Sequence, residues 1–292
     1  IEEETQQAEP EELTEEAGPT QQEEATKGDP YVPFKDDKGK DVLTNAGQTR
    51  AIDTLNNWWR NNIDEKIFVL SGRGGTGKTT IVDKAIQVMG LKKNQVRFGL
   101  PTHKAKGVIQ KAAKNYGSTQ FSTIAQLLGK KPKGYDKDGN QLFVTDPEAY
   151  ENSLDNLSQE GVKLIVIDEA SMVGVNEITE LVQIATRKKI RLLFMGDQVQ
   201  LPPITKNNTK LYLSAVFANV LGLDSEINLE INKKVSYAKL TKRMRQKGES
   251  PILGITDIIA NSIEYIIANI DKYNGTKKNM AGFILPKINN AL

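Results

Sequence analysis

The sequence predicts an α/β fold, a parallel sheet with helices on both faces, on three observations. Short apolar runs of strand length recur at residues 66–70, Leu164–Ile167 and 190–195. Segments with helical spacing of apolar residues separate them. A glycine-rich run, Gly72-Arg73-Gly74-Gly75-Thr76-Gly77-Lys78-Thr79, leads from the first of these strands into a helix. Strands that are apolar throughout and alternate with helices belong in a sheet covered on both sides.

Each element has its own signal. Thr44 or Asn45 is placed to cap a helix whose apolar positions are Ile52, Leu55, Trp58 and Trp59. A helix is expected from about Lys78, a second strand over 95–100 and a lysine-rich helix over 103–116. Ser122 is the expected cap of a short helix running through Leu128, and 175–187 reads as a helix between two strands. Residues 129–157 break the pattern: Lys130, Lys131, Lys133, Tyr135 and Lys137 precede Asp138-Gly139-Asn140 and Leu142-Phe143-Val144. Asp-Gly between two potential strands is a hairpin signal, so a small β-hairpin insertion is expected on the rim of the sheet. Isoleucines at 252, 255, 259, 263, 266 and 270 approximate helical spacing, which predicts a helical segment over 251–292.

Composition bounds the function classes. With 38% hydrophobic and 26% charged residues in 292, the chain can bury a sizeable core. No apolar run reaches the roughly 18 residues of a membrane span, so no membrane partner is expected. It opens on Ile1 and acids, without a basic then apolar leader, and reads as a fragment or processed product that is not secreted. Cysteine is absent, which excludes disulfides and thiolate metal sites and fits a cytoplasmic or nucleoid location.

Charge is divided unevenly. Residues 1–29 hold 11 acids against Lys27, leaving 38 basic and 26 acidic residues in the rest. Residues 1–30 are expected to be a disordered acidic tail or linker, with mimicry of nucleic acid as the alternative role. The basic remainder fits a polyanion partner such as nucleic acid, or equally a solvated lysine-rich surface.

The glycine-rich run satisfies G-x-x-x-x-G-K-[ST] at every required position, in the strand-to-helix context that gives the motif meaning. Its glycines (Gly72, Gly74, Gly75 and Gly77), with Thr76 and Thr80, shape a loop whose backbone amides turn toward phosphate oxygens. Lys78 is expected on the β- and γ-phosphates and the Thr79 hydroxyl on Mg²⁺, with ATP as the nucleotide. Some 90 residues on, an apolar strand ends in Asp168-Glu169. An acid there should sit beside the phosphate loop, at the edge where such sheets bind ligands. Asp168 is the expected Mg²⁺ holder and Glu169 the general base.

The order of motifs resembles superfamily 1 helicases, in particular the RecD-like and Dda-like branch. Leu43-Thr44-Asn45-Ala46-Gly47-Gln48 is similar to that family's Q motif, which implies that Gln48 reads the adenine edge. Pro101-Thr102-His103-Lys104-Ala105-Lys106 resembles a loop that grips a nucleic-acid strand, implicating Pro101, Thr102, His103, Lys104 and Lys106. Phe121-Ser122-Thr123-Ile124-Ala125 resembles the next contact motif; Thr123 either meets phosphate or simply caps a helix. Gly196-Asp197-Gln198-Val199-Gln200-Leu201-Pro202-Pro203 matches the third motif, which implies Gln200 at the γ-phosphate and Pro202 at the strand. Leu240-Thr241-Lys242-Arg243-Met244-Arg245-Gln246 resembles the motif carrying a γ-phosphate arginine, here Arg245.

The resemblance spans 43–251 and implies a RecA-like P-loop ATPase domain over 31–250. The segment after it would lead toward a second RecA-like domain, in cis or in trans, needed for movement. Implied partners are single-stranded nucleic acid, DNA before RNA, with 5′→3′ motion. The hairpin falls where the family carries a strand-separating pin, so residues 135–143 are a wedge or a decorative loop. An RNA helicase or a non-motor ATPase scaffold are the competing functions.

Overall fold

A computed structural model describes residues 32–35, 41–112, 116–135, 137, 141–200, 216–217, 235–244, 259 and 261–262. All lie in one of the two units into which the chain divides, Tyr31–Leu292. The acidic segment 1–30, the Asp138-Gly139-Asn140 turn, Leu201, Pro202, Pro203, Arg245 and nearly all of 251–292 fall outside the described residues.

A short antiparallel hairpin, β1 (Val32–Lys35) with β2 (Asp41–Thr44), leads into α1 (Ala46–Asn61). Asn45, one of the two expected caps, starts α1: its side chain accepts the Gln48 N–H at 3.0 Å, while the Gln48 side chain accepts the Asn45 N–H at 3.1 Å. Two otherwise orphaned amides are satisfied by this exchange. The central sheet follows from β3 (Ile67–Gly72), β4 (Val96–Leu100), β5 (Phe121–Thr123), β8 (Leu164–Ile167), β9 (Arg191–Gly196) and β10 (Ser236–Leu240). Its order is β10-β3-β9-β8-β4-β5 and every pairing is parallel, as the apolar runs predict.

The period-two alternation of strand side chains builds a core on each face. Ile67 and Val69, with Ile165, Ile167, Leu192 and Phe194, pack under α4 (Ile124–Leu127), α5 (Pro147–Gln159) and α6 (Val175–Lys188). Phe68 and Leu70, with Val166, Leu193 and Met195, pack under α1, α2 (Lys78–Val88) and α3 (His103–Ala112). Each fully buried Leu, Ile or Phe adds roughly 1.5–3 kcal/mol, so the strands are held from both sides.

Three local readings change. Ser122, the expected cap, lies within β5, where residues 121–123 pair with β4, and the cap of α4 is Thr123. Helix α3 is assigned to Ala112, and Tyr116 lies in a bend, stacked edge-on against Phe98 at 4.9 Å. Residues 129–157 are more than a hairpin: β6 (Lys130–Tyr135) and β7 (Gln141–Thr145) pair antiparallel, and then α5 begins on an Asp146 cap with Pro147 in its first turn. In the sheet β9 lies between β3, which leads into the phosphate loop, and β8, which ends in Asp168-Glu169.

Candidate nucleotide site

The strands β3, β8 and β9 all end at one edge, and their following loops converge there. After Gly72 the chain must turn sharply to start α2. Gly75 (φ +81°) and Gly77 (φ +89°) supply left-handed backbone that an L side chain resists. A side chain on Gly77 would also meet Gln48 Nε2 at 2.8 Å. Thr76 is fully buried; its hydroxyl donates to the Arg73 carbonyl at 2.9 Å and its N–H to the same oxygen at 3.2 Å. No side chain caps α2, and a helix start of this kind suits an anion through its amides and the helix dipole. Lys78 Nζ donates to the carbonyls of Gly72 (2.5 Å) and Arg73 (3.3 Å). Thr79 is half-buried beside it and Thr80 is exposed.

Gln48 braces this loop from α1. Its Nε2 donates to the Thr76 carbonyl at 3.0 Å while its Oε1 serves the Asn45 cap, and it is only 5% exposed. Asn45 and Met244 close the same side. The Met244 N–H donates to the Gly75 carbonyl at 2.8 Å, and Asn45 Nδ2 reaches Met244 Sδ at 3.2 Å. Arg245 itself lies outside the described residues; its immediate neighbour is anchored on the phosphate loop.

Asp168 leaves the end of β8 with its N–H on the Gly99 carbonyl at 3.1 Å. Burial pushes its carboxyl up to about 6; the Glu169 N–H on Oδ1 (2.8 Å) pulls down, the Glu169 charge adds to the rise, and Lys78 opposes it. Lys78 starts α2 after β3 and Asp168 follows β8, so the end of β9 lies between them in the sheet. Glu169 adopts φ +51°, ψ +43°, the left-handed region that a long side chain rarely occupies. Nothing in the sequence announces this strain.

The loop after β9 carries contacts that the motif reading did not single out. Asp197, 6% exposed, accepts the Gly74 N–H through Oδ2 at 3.2 Å, and the Ser71 hydroxyl faces Gln198 Oε1 at 3.3 Å. Gln200 is exposed at the end of this turn. Gly196 has no side chain where the 170–171 backbone crosses: an added Cβ would sit 3.0 Å from the Ala170 nitrogen.

The expected strand-gripping residues separate into two groups. Thr102, His103 and Lys104 are exposed, and Pro101 and Lys106 half-buried, at the end of β4 and the start of α3. The Thr102 hydroxyl caps α3 by accepting the Ala105 N–H at 3.1 Å. Thr123, by contrast, is 5% exposed and its hydroxyl accepts the Gln126 N–H at 3.2 Å, the geometry of the capping alternative. Pro202 lies outside the described residues. Among the described residues no group of three His, Cys, Asp or Glu side chains is placed to hold a metal, and no helix is long and apolar enough to cross a membrane. The hairpin β6–β7 is tied down at its base by Lys130 to Glu180 (2.9 Å) and Lys131 to Asp146 (2.7 Å), while Tyr135 is 70% and Phe143 46% exposed.

An amide-lined loop at the end of a central parallel strand, faced by a half-buried aspartate two strands away, defines a P-loop nucleoside-triphosphatase fold. More narrowly, the chain belongs to the AAA domain family, whose model matches residues 43–250. The chain is 31% identical over 155 residues to uncharacterized protein R530 of Acanthamoeba polyphaga mimivirus, covering 49% of this chain and 30% of that one. It is 26% identical over 198 residues to the RecBCD enzyme subunit RecD of Buchnera aphidicola subsp. Schizaphis graminum, covering 58% and 30%. The likeness to RecD that the motif order implied is thus found in sequence comparison. Pif1 helicase from Candida albicans aligns in structure with a TM-score of 0.46 at 16% identity, covering 74% of this chain and 44% of that one. The chain spans less than a third of the length of the curated relatives named here.

Proposed function

We propose that the chain is the ATP-hydrolysing motor domain of a DNA helicase or translocase, with single-stranded DNA as its track. One observation carries this reading: the phosphate loop, Asp168-Glu169 and the turn bearing Gln200 converge on one sheet edge, with Met244 hydrogen-bonded to the loop just ahead of Arg245. The similarity to RecD supports helicase over other uses of the fold.

The donor set fits a triphosphate with Mg²⁺. Uncapped helix amides and Lys78 suit the phosphates, and one half-buried carboxylate with one hydroxyl suits an ion that takes water and phosphate oxygens as its other ligands. Asp168 and Thr79 would hold it, and when bound it would neutralise charge on the phosphates. To read the adenine edge, Gln48 would have to release the Thr76 carbonyl and the Asn45 N–H, which hold the two ends of its amide. In the reaction the oxygen of water forms a bond to the γ-phosphorus as the bond to the bridging oxygen breaks. Glu169 orients that water and takes its proton; Lys78, Gln200 and Arg245 meet the charge on the transferring group. Exposed residues of the 101–106 loop would hold the strand backbone, and a second RecA-like domain would complete the translocation cycle. The exposed Tyr135 on β6 and Phe143 on β7 support a wedge.

The test is ATP hydrolysis by the full chain with and without single-stranded DNA, beside Lys78→Ala. Hydrolysis is expected in the wild type, increased by DNA, and the variant should lose roughly 10²–10³ in rate and bind nucleotide more weakly. A Lys78→Ala protein that binds and turns over nucleotide normally would end the cradle assignment. Stronger binding to matched single-stranded RNA at the same salt would favour an RNA track.

A further inference from the structure

Resting on the hydrolysis proposed above, we infer that Gln48 is a positioning residue for the phosphate loop that leaves the base unread, so that the substrate is a nucleoside triphosphate of any base. Both ends of its amide are already engaged. Nε2 donates to the Thr76 carbonyl at 3.0 Å, and Oε1 accepts the Asn45 N–H at 3.1 Å. A primary amide keeps a second N–H and a second lone pair. Gln48 is only 5% exposed, however, so a base edge would meet little of either. The amide also lies directly on the start of α2, since a Cβ on Gly77 would stand 2.8 Å from Nε2. To turn toward a base, Gln48 would break two bonds for the two that a base edge offers. The groups it leaves, on Thr76 and Asn45, belong to buried residues, where a lost partner is costly.

The hold on Thr76 bears on phosphate binding. In a trans peptide the C=O and the following N–H point in opposite directions. Fixing the Thr76 carbonyl therefore fixes the direction of the Gly77 N–H, an amide of the cradle on a residue that is otherwise free to turn. The preceding carbonyl is held in the same way: the Met244 N–H donates to Gly75 at 2.8 Å, and Asn45 Nδ2 reaches Met244 Sδ at 3.2 Å. Two successive carbonyls of the loop are thus held, one from α1 and one from the chain after β10, and Asn45 joins the two holds. A side chain that aims amides at phosphates acts alike on every nucleotide, because the triphosphate is common to all of them. A side chain that reads a base acts on one.

The experiment uses the full chain as wild type and as Gln48→Glu. It measures kcat and KM for ATP, GTP, CTP and UTP, inhibition of ATP hydrolysis by inorganic tripolyphosphate, which has no base, and thermal unfolding. In the wild type, kcat/KM for the four nucleotides is expected to agree within about 10-fold, where a site built to hydrogen-bond one base would discriminate by more. Gln48→Glu keeps the shape and an acceptor for the Asn45 N–H, but it sets an acceptor oxygen against the Thr76 carbonyl. It should raise the four KM values and the tripolyphosphate inhibition constant by one common factor of about 10, with kcat within about 3-fold. A wild-type preference for ATP above about 10-fold would overturn the inference and leave the proposed hydrolysis standing. So would a variant that loses ATP alone while tripolyphosphate inhibits as before. A variant with unchanged KM values, whether or not kcat and Tm fall, would deny Gln48 the positioning role. The wild-type comparison decides the matter even where the variant does not fold. Absence of Lys78-dependent hydrolysis of any nucleotide would remove both readings.

Discussion

The two ends of the central sheet handle charge in opposite ways. At the end where strands begin, Arg191 lies against the rings of Trp58 and Trp59 at 5.1 and 5.0 Å and donates to the carbonyls of Trp58 (2.7 Å), Trp59 (3.0 Å) and Asn62 (3.3 Å). One guanidinium thereby closes the C-terminus of α1 and supports the start of β9. Arg97 pairs with Glu160, and Ser236 with Glu65, at the same end. At the opposite end Glu169 is held in left-handed backbone, Asp168 is half-buried with its carboxyl pushed up by desolvation, and the Ser171 hydroxyl is buried without a hydrogen-bond partner. Order is secured at one edge; strain and unfavourable burial are tolerated at the other, where ligand chemistry requires them.

Substitutions at the two edges should therefore separate activity from stability. The largest effect expected is on rate: Glu169→Gln should lower the ATPase kcat by roughly 10²–10⁴ with little change in Tm. A large drop in Tm instead would assign Glu169 to the scaffold. At the other edge, Arg191→Ala should destabilise by roughly 3 kcal/mol in denaturant unfolding, because three carbonyls lose their donor and two rings lose their cover. Its kcat, measured where the variant is folded, should stay within a few-fold of wild type.

Asp168→Asn carries a pH signature. The native carboxyl titrates near 6 and the unfolded one near 3.8. Below about pH 4 both states are protonated and the substitution should be neutral. As pH rises from there through 6, the native state loses stability that the uncharged asparagine retains. By pH 7, in EDTA, the variant should be more stable by on the order of 1–3 kcal/mol while inactive. Equal unfolding midpoints at both pH values would remove the buried-charge account. The smallest effect expected is from Glu169→Gly, which relieves the positive φ and should stabilise by about 1 kcal/mol, set against the added flexibility of the unfolded chain.

What could be read in the sequence was local. The apolar runs at Ile67, Leu164 and Leu192 announce strands because burial on both faces leaves no polar alternation, and the 72–79 loop announces itself through glycine spacing. The three residues of β5 are too few to show a period, and a Ser-Thr pair there reads as a helix start. The order of the strands is set by crossovers, so neither the interposition of β9 nor the Asp197–Gly74 contact has a signature in nearby residues. Gln48 was found through resemblance to a family motif; its hold on the Thr76 carbonyl is a contact between elements 28 residues apart. The backbone of Glu169 had no signal at all, since glutamate carries no preference for that conformation.

Because β9 intervenes, strands β3 and β8 stand two ladder spacings apart, roughly 10 Å. That gauge is kept by Gly196, the narrow tip over which the 170–171 backbone folds. A methyl group there would press motif and strand apart, and the domain would misjudge the reach of its own substrate with every catalytic side chain still in place.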